Sequence, residues 1–159
     1  MKVERGTLVN SQEIYKNLPV MKSKAPANWV SLEINGSIEW DFSLQLEDLL
    51  AMPQSNVTAD FQCNDGWKCL NLEWSGVTIK YLLEGVGLFH NANRIEFRSG
   101  EYCQVLSLEE ALDSSTVVAL RLNGKPLPKG NGGPCRLLAG SRKGPAHVKW
   151  LQTITVIAV

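Results

Sequence analysis

Chemistry in this 159-residue sequence centres first on a thiol. A β-branched run at 56–60 predicts a strand that ends at Cys63, because Asn64-Asp65-Gly66 carries the side chains and the glycine that turns favour. A cysteine presented by a turn at the end of a strand can meet a ligand as its thiolate. The alternative is a small buried hydrophobe, a common fate of free cysteine. The other cysteines stand at 69, 103 and 135, and no CxxC occurs, so a zinc ribbon or a thioredoxin-type dithiol has no support. His90 and His147 are the two histidines. A mixed zinc site from Cys63, Cys69, Cys103 and His147 is conceivable, but the spacing argues against it. A second feature is the loop Gly130-Asn131-Gly132-Gly133-Pro134, whose glycines let a ligand approach the backbone closely.

The elements that must position these groups read mostly as strands. Residues 29–34 alternate apolar and polar, Asn35-Gly36 is a turn signal, and 38–42 alternate again, which predicts a hairpin. Ser43 is the expected cap of a short helix through Leu50, stopped before Pro53. Thr78 caps a second helix over 79–84, closed by Gly85 or Gly87. Residues 94–98 and 102–106 are strands joined at Ser99-Gly100, and Ser107-Leu108-Glu109-Glu110 is a capping box opening a helix to about Leu112. Residues 117–122 form a buried strand turned by Asn123-Gly124, and 135–138 and 148–157 finish the sheet. Tyr102 reads as a cross-strand packing residue, and Trp29, Trp40, Trp74 and Trp150 as core or near-core anchors. Many strands with few helices predict an α+β domain built on a mixed β-sheet or a distorted barrel. Residues 1–159 are expected to form one domain, with 1–26 a polar lead-in.

Composition narrows the function classes. Sixteen basic and sixteen acidic residues leave no net charge, so nothing global points to nucleic acid or an anionic membrane. No apolar run reaches the roughly 18 residues of a membrane helix, so no membrane insertion is expected. The N-terminal charge has no apolar stretch behind it, and a cytoplasmic location follows as the expectation. There, the thiols stay reduced.

Cys63, the segment Trp74-Ser75-Gly76-Val77, Asn123-Gly124-Lys125-Pro126-Leu127-Pro128, Gly132-Gly133-Pro134-Cys135-Arg136-Leu137 and Val148-Lys149-Trp150-Leu151 follow one another in that order. This set resembles the molybdopterin-binding oxidoreductases of the sulfite oxidase and methionine sulfoxide reductase type, over roughly 14–157. The resemblance implies a molybdenum–molybdopterin cofactor, with Cys63 as the metal's thiolate ligand, a soft donor suited to a metal already held through sulfur. Cys69, Cys103 and Cys135 match no ligand position. Arg136 and Lys149 fall where the family binds the pterin and its phosphate, one as a planar fork and the other as a point charge. Asn131, Ser141, Gly144 and His147 lie along the same cofactor loops, and Asn17 falls in a loosely matching segment.

For substrate, the resemblance divides. Asp65 and Trp67 match the methionine sulfoxide reductase branch, with Asp65 also placed as catalytic. Lys16 and Lys68 stand where sulfite oxidase has substrate-binding arginines. The sulfite oxidase segment with a catalytic tyrosine and a dimerisation domain is expected to be absent after Val159. The implied function is two-electron redox chemistry, oxygen-atom transfer to or from a small oxo substrate, with a sulfoxide or N-oxide favoured over sulfite. The other readings are a molybdopterin carrier without turnover and an interaction domain with a structural Cys63. No haem-attachment CxxCH and no GxGxxG occurs, so a separate electron-transfer partner is implied.

Overall fold

In chain order the elements are β1 (Leu32–Gly36), β2 (Phe42–Leu44), α1 (Leu46–Leu50), β3 (Ser55–Gln62), β4 (Lys68–Thr78), α2 (Ile79–Leu83), β5 (Ala92–Ser99), β6 (Tyr102–Ser107), α3 (Leu108–Ala111), β7 (Thr116–Leu122), β8 (Lys125–Pro126), a 3₁₀ turn (Lys129–Asn131), β9 (Arg136–Ala139) and β10 (Thr153–Ala158). They come from a computed structural model that describes residues 28–62, 68–139 and 147–159. Lys16, Asn17, Cys63, Asp65, Trp67, Ser141 and Gly144 lie outside the described residues.

The strands form two sheets. One has the order β2-β1-β10-β5-β6, and the other runs β3-β4-β7, with β8 and β9 both pairing with β7. The β1–β10 pair is parallel, whereas the other pairs of both sheets are antiparallel. Neither sheet closes on itself. Of the two architectures expected, the mixed sheet holds and the barrel does not.

One buried cluster joins the sheets. Ile34, Ile95, Phe97 and Ile154 enter it from the first sheet, and Val118, Leu120, Leu137 and Ala139 from the second, with Leu49 of α1 and Ile79 of α2. Because strand side chains alternate faces, Val117 and Ala119 of β7 and Arg136 and Leu138 of β9 belong to the opposite face of the second sheet. That face is also dry: Val117, Ala119 and Leu138 are fully buried, and Trp74 is 1% exposed. A sheet buried on both faces must hold its polar side chains by specific contacts. Arg136 is one of them.

Local chemistry explains much of the element pattern. Thr78 Oγ1 accepts from the Tyr81 N–H, and Ser107 and Glu110 complete their reciprocal box at 3.1 and 3.0 Å. Asn123 and Gly124 take the left-handed conformations a tight hairpin turn needs, with φ of 50° and 80°. Three expectations are corrected. Ser43 does not cap α1: it lies inside β2, paired with Glu33, and the helix is opened at Gln45, whose N–H donates to the Asp48 carboxylate at 2.8 Å. Asn35 and Gly36 continue β1 beside β10 instead of turning, Ile38 makes only a bridge to Leu88, and Trp40 is 73% exposed. Ladder pairing to β10 outweighs the local turn signal. Finally, 148–152 are not strand: Val148 bridges Leu137, Trp150 has a φ of 52°, and β10 begins only at Thr153. No described helix is long and apolar enough to cross a membrane.

Candidate functional site

The turn at Lys129–Asn131 and the run His147–Leu151 meet beside β9. Three successive carbonyls organise the meeting. Lys129 O accepts from the Trp150 indole at 2.6 Å, Gly130 O from the Lys149 ammonium at 3.1 Å, and Asn131 O from Arg136 Nη1 at 3.0 Å. Carbonyls at the end of a short helical turn run out of partners within it, and Lys129 O, which also takes the Gly132 N–H, has a second lone pair. They are therefore open to these donors. The Trp150 N–H donates to Gly132 O at 3.0 Å, and Leu151 N–H to Cys135 O at 3.0 Å. The left-handed backbone of Trp150, worth about 1–3 kcal/mol of strain for a bulky residue, is thus held from both its indole and its amide.

Gly132 is the residue between. A Cβ there would lie 3.0 Å from Lys149 Cγ and 3.2 Å from Arg136 Cβ and Cδ, at a φ of +107°. Only glycine fits both the space and the conformation.

Arg136 is 2% and Lys149 3% exposed. Arg136 stacks over Trp74, its guanidinium carbon 5.1 Å from the ring centroid, and Lys149 Nζ lies 5.5 Å from the Trp150 centroid. Arg136 Nη2 is 3.1 Å from His147 Nδ1, while its Nε is buried without a hydrogen-bond partner. Carbonyls and rings are the neighbours of these two cations; neither has a carboxylate partner among the described residues, and the Arg98–Glu96 pair lies elsewhere. An isolated buried charge costs several kcal/mol. Two of the same sign in one place raise that cost further, and a bound anion would offset it.

The titration behaviour agrees. Burial pushes the Arg136 guanidinium down to about 10, with Tyr102 acting the other way, and it stays protonated at neutral pH. Burial, reinforced by Arg136, brings Lys149 down to about 8 and His147 down to about 3. The first of these makes a prediction for cofactor-free protein. An unfolded lysine holds its proton to about 10.5, so between about 8 and 10.5 the unfolded chain binds more protons and rising pH favours the fold. Urea midpoints measured on either side of that window should show wild type gaining on Lys149→Met as pH rises. A constant difference would mean that Lys149 titrates like a solvated lysine.

Asn131, Arg136, His147 and Lys149 are therefore brought together, as the motifs grouped them. Asn131 is buried and contributes its backbone carbonyl. Lys68 opens β4 opposite Gln62. Tyr102 is half-buried, accepts from Gln104 Nε2 at 2.9 Å and packs on the core, as expected. Cys135 is fully buried, its thiol pushed up by burial, which fits a core residue. What the sequence did not reveal is Trp74 as the platform beneath Arg136; its type suggested only a core anchor.

The buried cations sit on a two-sheet α+β scaffold, and residues 17–159 match one family model: the chain belongs to the oxidoreductase molybdopterin binding domain family. The cofactor of this family is molybdopterin with molybdenum. The chain is similar to the protein-methionine-sulfoxide reductase catalytic subunit MsrP of Gluconobacter oxydans, at 27% identity over 83% of this chain and 48% of that protein. It is also similar to the sulfite oxidase of Arabidopsis thaliana, at 27% identity over 80% of this chain and 42% of that one. The chain thus spans about half the length of these relatives. Its fold matches the crystal structure of the sulfane dehydrogenase SoxCD from Paracoccus pantotrophus with a TM-score of 0.76 at 21% identity, over 100% of this chain and 51% of that one.

Proposed function

We propose that this domain binds molybdopterin through Arg136, Lys149 and Asn131, that Cys63 ligates the molybdenum, and that the loaded protein is a two-electron oxidoreductase. The observation that carries the reading is the pair of buried cations without a carboxylate partner among the described residues. A phosphate monoester supplies the missing negative charge. Arg136 then holds phosphate oxygens through its fork and Lys149 through a single charged donor, and Gly132 lets the stems of the two cations pack close together. Asn17, Ser141 and Gly144 complete the proposed cradle. The bound group supplies oxygen-atom transfer chemistry, and the chain supplies the thiolate, orientation and electrostatics.

Substrate preference follows from charge near Cys63. Sulfite carries close to two negative charges near neutral pH and needs several cations converging on it. Only Lys16 and Lys68 match such positions, and neither has the arginine fork. Asp65, two residues from Cys63 in the sequence, adds a negative charge that disfavours an anion, and Asp65 and Trp67 both match the reductase branch. A neutral sulfoxide or N-oxide is therefore the favoured substrate class. Electrons pass to or from a separate partner; the similar reductase from Gluconobacter oxydans is itself named as a catalytic subunit. Steady-state assays of molybdenum-loaded protein with an artificial electron donor or acceptor are expected to show sulfoxide or N-oxide reduction exceeding sulfite oxidation. Efficient sulfite oxidation alone would overturn the substrate assignment, and molybdopterin retention without any turnover would favour the carrier reading.

A further inference from the structure

Arg136 can only donate hydrogen bonds, so the His147 Nδ1 that lies 3.1 Å from its Nη2 must be an acceptor. The imidazole is then neutral with its hydrogen on Nε2. An imidazolium would set N–H against N–H beside a guanidinium, which agrees with the downward shift of His147 from burial and from Arg136. The same guanidinium gives one Nη1 hydrogen to Asn131 O, lies over Trp74 and keeps Nε buried. Of its five N–H groups, one on each Nη remains for a ligand. Without the acceptor at Nδ1, the Asn131 carbonyl would be the one hydrogen-bond acceptor on the fork among the described residues, and the group could turn in its own plane over the Trp74 ring.

We propose that His147 is a positioning residue: as the Nε2–H tautomer it fixes the Arg136 fork for the cofactor phosphate and acts on the cofactor through Arg136. The proposal rests on the molybdopterin reading above. It distinguishes His147, whose role is to accept, from Arg136 and Lys149, whose role is to donate.

Two measurements test it. In cofactor-free, ¹⁵N-labelled protein, His147 should show a protonated Nε2 and a bare Nδ1 at neutral pH. A protonated Nδ1 would overturn the proposal whatever the cofactor does. Molybdopterin retention, read after oxidation to its fluorescent form, is then compared across variants. His147→Ala should weaken retention about tenfold, as loss of an orienting partner typically does, while His147→Asn, which keeps an acceptor near the Nδ1 position, should stay within about threefold of wild type. In the Arg136→Ala background, His147→Ala should have no further effect, because the group it orients is gone. An equal loss in both backgrounds would show direct contact with the cofactor and overturn the positioning role. So would wild-type retention in His147→Ala. If His147→Ala does not fold, the tautomer and the retention of His147→Asn decide the question. Wild-type protein that holds no molybdopterin would instead defeat the functional reading, leaving the tautomer to test the Arg136–His147 contact.

Discussion

Alanine at Arg136 is expected to strip most of the cofactor from this domain while leaving the fold intact. A hydrogen bond to a charged partner contributes about 1.5–3 kcal/mol, so its loss weakens retention roughly ten- to hundredfold. Lys149→Ala should act in the same direction and more weakly, since a single ammonium replaces the two-pronged contact. The stability of cofactor-free protein should move the other way. Arg136 is buried beside a second cation with no described carboxylate, so removing it relieves repulsion and desolvation. Pterin content and urea midpoint, measured on the same preparations, check both halves. Wild-type pterin content in both variants would end the assignment of the anion site. Low content with a collapsed midpoint would mark Arg136 as a structural residue.

Cys63→Ser should abolish turnover and remove one sulfur from the metal's coordination shell, with the pterin still bound. The thiolate is a soft donor matched to molybdenum held through sulfur, and a hydroxyl is a poor replacement. Pterin binding, in this reading, depends on Arg136 and Lys149 and so survives the change. Molybdenum X-ray absorption of the two proteins is the direct comparison. An unchanged sulfur shell would show that Cys63 is not the ligand, even if activity fell.

The elements that could be read from the sequence were those set by neighbours in the chain. Thr78, Ser107 and Asn123-Gly124 needed only side chains and turn geometry within a few residues, and the structure has them as expected. Ser43 and Asn35-Gly36 carried equally good local signals and were overridden, because β1 is sandwiched between β2 and β10 and every residue there is committed to a ladder. Trp40 was legible as an aromatic but not as an exposed one. At the site, motif order grouped Asn131, Arg136, His147 and Lys149, but it could not show that the two cations are both buried and flank Gly132. That depends on the second sheet being covered on both faces. The positions of Cys63, Asp65 and Trp67 lie outside the described residues, so their part of the site rests on the sequence and the family alone.

The run His147–Leu151 leads directly into β10, the central strand of the first sheet, whereas Arg136 belongs to the second. Trp29 reinforces the junction by donating from its indole to Leu151 O at 2.6 Å. A molecule gripped by Arg136 and Lys149 together therefore fastens one sheet to the other. Ligand at a hundred times its dissociation constant adds about 2.7 kcal/mol to a fold that binds it only when assembled. If the cofactor is held as proposed, the polypeptide would be its own inventory gauge: in cells short of molybdopterin the unsecured form is expected to open more often and be degraded faster, so that the amount of protein follows the supply of cofactor without any dedicated sensor.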